Sequence, residues 1–317
     1  MKKVLVTGAA GFIGSHVSEA LLARGDAVVG LDNLNDYYPV GYKNRNVDVL
    51  KKNLNFNFVQ GELEDAKLLD EIFTKHDITH VAHLAARAGV RPSIEDPYIY
   101  SSANVTGTLT LLEAARRYQV ENTVVTSSSS VYGNSTKIPF KEDDSATDRP
   151  ISPYAATKKA TEVMGYTYHH LYGMNVNVVR PFTVYGPRGR PDMAPWLFLA
   201  AARNGKPIKK FGSGESRRDY TFIRDFTQGF VSAIDRPLGY EIFNLGNSST
   251  VSLNEVLDII ERVTGKKLII EQYPPQPGDV ELTNADVSKA RGLLGYSPST
   301  SFEQGMREFN DWFGANV

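Results

Sequence analysis

Residues 4–14 read Val4-Leu5-Val6-Thr7-Gly8-Ala9-Ala10-Gly11-Phe12-Ile13-Gly14, an apolar run that breaks into three glycines spaced GxxGxxG and leads into the apolar stretch His16 to Ala23. Strand, tight turn and helix in that order build a site for a nucleotide pyrophosphate. Gly8 permits the sharp turn, Gly11 lets the backbone approach phosphate with no Cβ in the way, and Gly14 lets the helix lie close on the strand. The spacing is one residue longer than the usual GxGxxG, and a glycine triplet by itself also serves as a plain packing turn. The next segment separates the two readings. Ala27 to Leu31 reads as a second strand and ends at Asp32, 18 residues beyond Gly14. A carboxylate there accepts hydrogen bonds from an adenosine ribose and repels a 2′-phosphate, so the expected cofactor is NAD rather than NADP.

The chain has 317 residues, 41% of them hydrophobic, which suits one large α/β domain and a second lobe. Lys and Arg number 35 against 36 Asp and Glu, a net charge of −1, so neither nucleic acid nor a membrane surface is the expected partner. An anionic ligand must then be met by local arginines. There is no cysteine, which removes disulfides, thiolate metal sites and a cysteine nucleophile. His169 and His170 lie on a predicted helix with no metal-ligand partners in sequence, and no metal is expected. The first residues enter a core strand with no basic and apolar leader, and no apolar run approaches membrane-spanning length. A cytoplasmic protein is the expectation.

Up to about residue 180, short β-branched runs alternate with helical segments. Asn57 to Gln60, His80 to His83, Thr123 to Thr126 and Asn175 to Val179 read as strands, and Ala103 to Tyr118 and Tyr154 to Tyr172 as the longest helices. Such alternation predicts a doubly wound parallel sheet. The outward faces of the two helices are suited to pairing across a two-fold axis, which predicts a homodimer. After Arg180, four prolines fall between Pro181 and Pro195, and the texture becomes that of a smaller C-terminal α/β lobe. Residues 1–180 are therefore read as the dinucleotide domain, with a return segment over 222–248, and 181–221 with 249–317 as the second lobe. The tail reads as a helix from Leu253 to Val263, a strand near Leu268 to Glu271 and closing helices. The charged clusters Lys51-Lys52 and Glu142-Asp143-Asp144 read as solvated loops.

Tyr154 and Lys158 stand at i and i+4 on a predicted helix and so share one face. A lysine ammonium beside a phenol favours the phenolate and would lower a reference pKa of about 10, making Tyr154 a candidate general base. That spacing is common on solvated helices. The neighbouring strand, Thr123 to Thr126, gives it meaning, because it ends in Ser127-Ser128-Ser129-Ser130, and ligands bind at the C-terminal ends of strands in open α/β sheets.

Together, TGAAGFIGSH (Thr7 to His16), Asp32, HLAA (His83 to Ala86), Asn104, SSSSVYG (Ser127 to Gly133), YxxxK (Tyr154 to Lys158) and RDY (Arg218 to Tyr220) resemble the extended short-chain dehydrogenase/reductase family, in its nucleotide-sugar 4-epimerase branch. The resemblance covers essentially the whole chain. GLDNLNDYY (Gly30 to Tyr38), RPFTVYGPRGRPDMAP (Arg180 to Pro195) and QPGD (Gln276 to Asp279) are similar to branch members that act on UDP-glucuronate. The resemblance implies a Rossmann fold, tightly bound NAD and a UDP-sugar in the second lobe. It makes Ser128 the catalytic hydroxyl, Tyr154 the base, and Lys158 the group that tunes Tyr154 and holds the nicotinamide ribose. Gly8, Gly11, Phe12, Ile13, Gly14, Asp32, Asn33, Glu62, Leu63, Leu84, Ala85, Ala86 and Asn104 would hold the rest of NAD. Ser129 and Thr183 would face the sugar, and Arg218 with Asp279 the uridine diphosphate. Arg188 and Arg190 are both candidates for a C6 carboxylate, which a guanidinium grips with two parallel hydrogen bonds that lysine cannot copy, and Arg190 is preferred.

Three positions depart from the family pattern: Arg87 in place of glutamine, Glu62 in place of aspartate, and Arg224 in place of an acidic residue. Arg87 would affect either NAD affinity or substrate contact. A UDP-glucose/galactose 4-epimerase would carry the same catalytic set and remains the main alternative. A UDP-glucuronate decarboxylase would carry glutamate at Ser130, a sugar 4,6-dehydratase an Asp-Glu pair at Ser129-Ser130, and an NAD-sensing regulator would have no need of Tyr154 and Lys158.

Overall fold

The computed structural model describes residues 1–275 and 281–317. A seven-stranded parallel sheet runs in the order β3-β2-β1-β4-β5-β6-β10. Its strands are β1 (Lys3–Thr7), β2 (Ala27–Asp32), β3 (Phe56–Gln60), β4 (His80–His83), β5 (Asn122–Thr126), β6 (Val176–Pro181) and β10 (Tyr240–Leu245). β1, β4 and β5 are almost wholly buried, which is why they read as continuous apolar or β-branched runs rather than alternating ones. The strand order reverses between β1 and β4, and the crevice of a doubly wound sheet opens at that point.

Six helical elements flank the first five strands: α1 (Phe12–Ala23), α2 (Val40–Leu50), α3 (Ala66–His76), α4 (Val90–Glu95), α5 (Pro97–Tyr100) and α6 (Gly107–Arg117). The single long helix expected from Ala103 to Tyr118 is divided, since Ser101–Thr106 is wound as a π-helical turn before α6 begins. α7 (Pro153–Tyr172) follows, started by Ser152, whose side chain accepts from the Ala155 N–H, and by Pro153 in the first turn, and ended by Gly173 in the left-handed region.

Beyond β6, α9 (Ile223–Asp235) packs against α1, and β10 completes the large sheet. Smaller sheets hold β7 (Thr183–Tyr185), β9 (Arg217–Phe222) and β11 (Thr250–Ser252) in the order β11-β9-β7, and β8 (Ile208–Phe211) with β12 (Ile270–Tyr273). β12 lies two residues later than the expected strand. α8 (Ala194–Asn204), α10 (Leu253–Thr264), α11 (Ser288–Leu294) and α12 (Phe302–Asn316) complete the chain. Trp196, Phe309 and Phe313 cluster where α8 meets α12. α10 begins with a reciprocal cap: Ser252 Oγ accepts from Glu255 N at 3.1 Å, and Glu255 Oε2 accepts from Ser252 N at 2.7 Å. No helix among the described residues is long and apolar enough to cross a membrane.

The acidic cluster at 142–144 is not a solvated loop. Glu142 Oε1 accepts from Asn244 N at 2.9 Å, and buried Asp144 accepts from Ala146 N at 2.9 Å. Both carboxylates serve as acceptors for backbone N–H groups that the fold turns away from water.

Candidate active site

A cavity of about 660 Å³ opens over the C-terminal ends of the sheet strands. Its floor is the glycine loop. Gly8 has φ +70°, and a Cβ on Gly14 would lie 2.0 Å from the Gly8 carbonyl oxygen, so α1 reaches the loop only with glycine there. α1 starts at Phe12 with no side-chain cap and no acidic residue in its first turn, leaving its first N–H groups to a ligand.

Asp32, at the end of β2, is buried and anchored through both oxygens, accepting from Ala10 N at 3.1 Å and Leu34 N at 2.9 Å. Burial pushes its carboxyl up, against the pull of Lys43. Asn33 Nδ2 donates to Glu62 Oε2 at 2.9 Å, bridging the ends of β2 and β3 beside Leu63. Leu84, Ala85 and Ala86 form the opposite wall, held down as Leu84 N and Ala85 N donate to Thr7 Oγ1 at 3.2 and 3.1 Å. His83 behind them is packed between Thr7 and Thr108 and kept neutral, its pKa lowered to about 3 chiefly by burial.

The glycine loop, with Phe12 and Ile13, and Asp32 therefore fit a dinucleotide. Asn104 does not line the cavity. Its buried amide accepts from Arg87 N at 2.7 Å and donates to Arg87 O and Thr157 Oγ1, bracing the loop after β4 against α7.

The cavity's chemical wall comes from β5 and α7. Ser128 Oγ accepts from Ser130 N at 3.1 Å and lines the cavity with the Tyr154 phenol, whose ionised form it favours. Tyr154 stacks edge-on to Tyr100, with ring centroids 6.1 Å apart. Lys158 shares the expected helix face, but its Nζ donates to Thr126 O at 2.7 Å. The expected lowering of the phenol by the lysine is accordingly not found: burial raises Tyr154, and the influences that lower it are Ser128 and Arg190. Burial also brings Lys158 down to about 8, partly countered by Glu162.

Ser129, Thr183 and Arg190 close the cavity. The Arg190 guanidinium lies over the Tyr37 ring at 5.4 Å and donates to both Asp192 oxygens at 3.0 and 2.6 Å. Arg188 points elsewhere. Held at φ +61°, it pairs with Glu19 on α1 and does not line the cavity, so it is not placed to read a substrate carboxylate there. Arg218 sits on β9 opposite Val251 and is likewise not part of the wall described. Asp279 lies outside the described residues. Arg87 faces the cavity, where the sequence reading set it beside cofactor or substrate, and Tyr37, Tyr38 and Lys43, to which that reading gave no role, face it as well. The tyrosine pair two turns of chain after Asp32 was a visible signal, whereas Lys43 was hidden on a helix, α2, with little periodic pattern.

The sequence model of the GDP-mannose 4,6 dehydratase family matches residues 5–309. The chain is an extended short-chain dehydrogenase/reductase. A UDP-glucuronate 4-epimerase of Thermodesulfobacterium geofontis is 48% identical over 314 residues, 99% of this chain and 96% of that protein. Among solved structures, UDP-glucuronic acid 4-epimerase from Bacillus cereus, in complex with UDP-glucuronic acid and NAD, superposes with TM-score 0.94 at 35% identity, covering 99% of this chain and 100% of the other. UDP-glucose 4-epimerase from Thermotoga maritima, with UDP-glucose, matches with TM-score 0.90 at 32% identity and 99% coverage of both chains. This member of the family thus shares its frame with epimerases of both acidic and neutral sugars, and the side chains lining its cavity must distinguish them.

Proposed function

We propose that the protein inverts C4 of a UDP-sugar, interconverting UDP-glucuronate and UDP-galacturonate through a 4-keto sugar, with NAD tightly held. The observation that carries the uronate reading is Arg190, a guanidinium on the wall of the same cavity as Ser128, Tyr154 and Thr183. Residues 1–180 with 222–248 are assigned to NAD, and 181–221 with 249–317, including Arg218 and Asp279, to the UDP-sugar.

Bound NAD would supply the hydride acceptor and donor for C4. Tyr154 takes the O4 proton, with Ser128 donating to the phenolate oxygen and Arg190 adding positive charge, both of which favour the ionised phenol. Lys158 offers its ammonium to ribose hydroxyls from the same helix face. Thr183 and Ser129 meet the sugar. After oxidation, C4 is a ketone β to the C6 carboxylate, and such acids lose carbon dioxide when the breaking C–C bond lines up with the carbonyl π system. Arg190, gripping the carboxylate with two hydrogen bonds, holds that bond out of alignment while the sugar turns its other face to the cofactor.

Incubation with UDP-glucuronate, and separately with UDP-glucose, without added cofactor and followed by NMR with carbon dioxide trapping, is expected to give UDP-galacturonate from the first alone. UDP-galactose from the second would make Arg190 an ordinary wall residue, and a UDP-pentose with carbon dioxide would overturn the restraint argument. We also assign a homodimer through α6 and α7, whose outer faces leave Leu109, Val163, Tyr166 and Leu171 exposed. Light scattering is expected to give twice the chain mass of 35.1 kDa, and a monomeric mass would rule it out.

A further inference from the structure

Thr126 at the end of β5 and the two residues that follow it each meet a different residue on one face of α7. The Thr126 carbonyl accepts from Lys158 Nζ at 2.7 Å, Ser127 Oγ donates to Glu162 Oε1 at 2.6 Å, and Ser128 lines the cavity with Tyr154, whose ionised form it favours. Tyr154, Lys158 and Glu162 are four residues apart in turn and so line one stripe of the helix. Ser128 follows Ser127 directly, so anchoring Ser127 on Glu162 fixes the backbone from which Ser128 reaches the cavity wall that it shares with Tyr154.

Glu162 is itself immobilised. It is 1% exposed and receives two parallel hydrogen bonds from fully buried Arg180, Nε to Oε1 at 2.7 Å and Nη2 to Oε2 at 2.8 Å. Arg180 is fixed in turn by the Tyr132 hydroxyl at 2.9 Å and the Glu142 carbonyl at 3.1 Å. Burial pushes the Glu162 carboxyl up, but Arg180, Ser127 and Lys159 outweigh it and keep it ionised.

We propose that Glu162, clamped by Arg180, is a positioning residue of this reaction: it anchors Ser127 so that Ser128 meets Tyr154, and it is the buried counter-charge of the Lys158 ammonium. The proposal rests on the epimerase reading. The other groups facing this stripe are His83 from β4, Tyr100 from α5, Tyr132 from the turn after β5, Arg180 from β6, Tyr240 from β10, Lys159 on α7, and Tyr37 and Arg190 across the cavity. His83 stays neutral through the working range, and Lys159 is tied to Thr147 at 3.0 Å. Among the described residues, Glu162 is the group that raises Lys158.

The sign follows. Lys158 is charged below about pH 8 and loses its proton as pH rises through that value. Glu162→Gln withdraws the influence that raises it, so the alkaline limb of kcat is expected to move down by about one pH unit, with kcat at pH 8 reduced on the order of tenfold. Glu162→Asp, which keeps the charge, should leave the limb near its original place. Ser127→Ala removes the anchor but not the charge, and is expected to lower kcat about tenfold with the limb unmoved.

A substrate-free reading uses lysine labelled with 13C at Cε, the Lys158 resonance being assigned by its loss in Lys158→Met. In Glu162→Gln it should titrate at lower pH than in the parent protein. Titration at the same pH, or a folded Glu162→Gln with an unchanged kcat and alkaline limb, overturns the proposal. If Glu162→Gln does not fold, an unaltered kcat in Ser127→Ala overturns the anchoring role, and a limb unmoved in Glu162→Asp supports the charge. Failure of the epimerase reading shows separately, as absence of UDP-sugar turnover by the parent protein, while the NMR titration still tests the Glu162–Lys158 coupling.

Discussion

Tyr154→Phe is expected to lower kcat by about 10³-fold or more while the protein stays folded and keeps its NAD. In the proposed reaction the phenol oxygen takes the O4 proton, and general base catalysis accounts for about 10²–10⁴ of rate. The ring itself is kept, so its edge-on contact with Tyr100 survives and only the hydroxyl is lost. Loss of the hydrogen bonding of a single neutral hydroxyl changes stability by about 1 kcal/mol. NAD content is read from the absorbance released on denaturation, and turnover by NMR of the UDP-sugar. Turnover equal to that of the parent protein would remove Tyr154 from the chemistry, and loss of NAD would mean that the substitution disturbed the cavity as a whole.

Arg190→Gln is expected to reduce kcat/KM for UDP-glucuronate by about 10²–10³-fold, since losing one partner of a desolvated charge pair removes roughly 2–5 kcal/mol. Arg190→Lys should fall nearly as far, because a point charge does not reproduce the two parallel hydrogen bonds. In both variants the fraction of turnovers ending in carbon dioxide and UDP-pentose is expected to rise. Asp192, the present partner of Arg190, is partly exposed and can be solvated when the guanidinium is gone, so the loss reads on substrate rather than on folding. Arg188→Ala serves as the comparison. Its ion pair with Glu19 lies partly at the surface, where such pairs contribute about 0–1 kcal/mol, and uronate turnover should change less than about threefold. Equal effects at 188 and 190 would refute the assignment of the carboxylate to Arg190.

Much of this site was legible along the chain because its parts are local. The glycine loop and Asp32 belong to one βαβ unit, where strand, turn and helix fix their spacing. Tyr154 and Lys158 share a face because a helix returns every four residues. The arginines were not legible in that way. Arg188 and Arg190 sit two residues apart in one proline-rich loop, and only the left-handed backbone at Arg188 turns one guanidinium to α1 and leaves the other over Tyr37.

By themselves, periodicity and spacing in the sequence led to the doubly wound sheet, the fit to NAD and the shared face of Tyr154 and Lys158, each a matter of one or two adjoining elements, while Ser128 was singled out by the family resemblance. Tertiary structure alone decided that Asn104 braces a loop, that Lys158 bonds the Thr126 carbonyl and leaves the Tyr154 phenol raised by burial, and that Glu162 and Arg180 lie beneath the catalytic face. Those outcomes depend on which buried polar groups from distant segments must satisfy one another, and that pairing exists only once β4, β5, β6 and α7 are packed together.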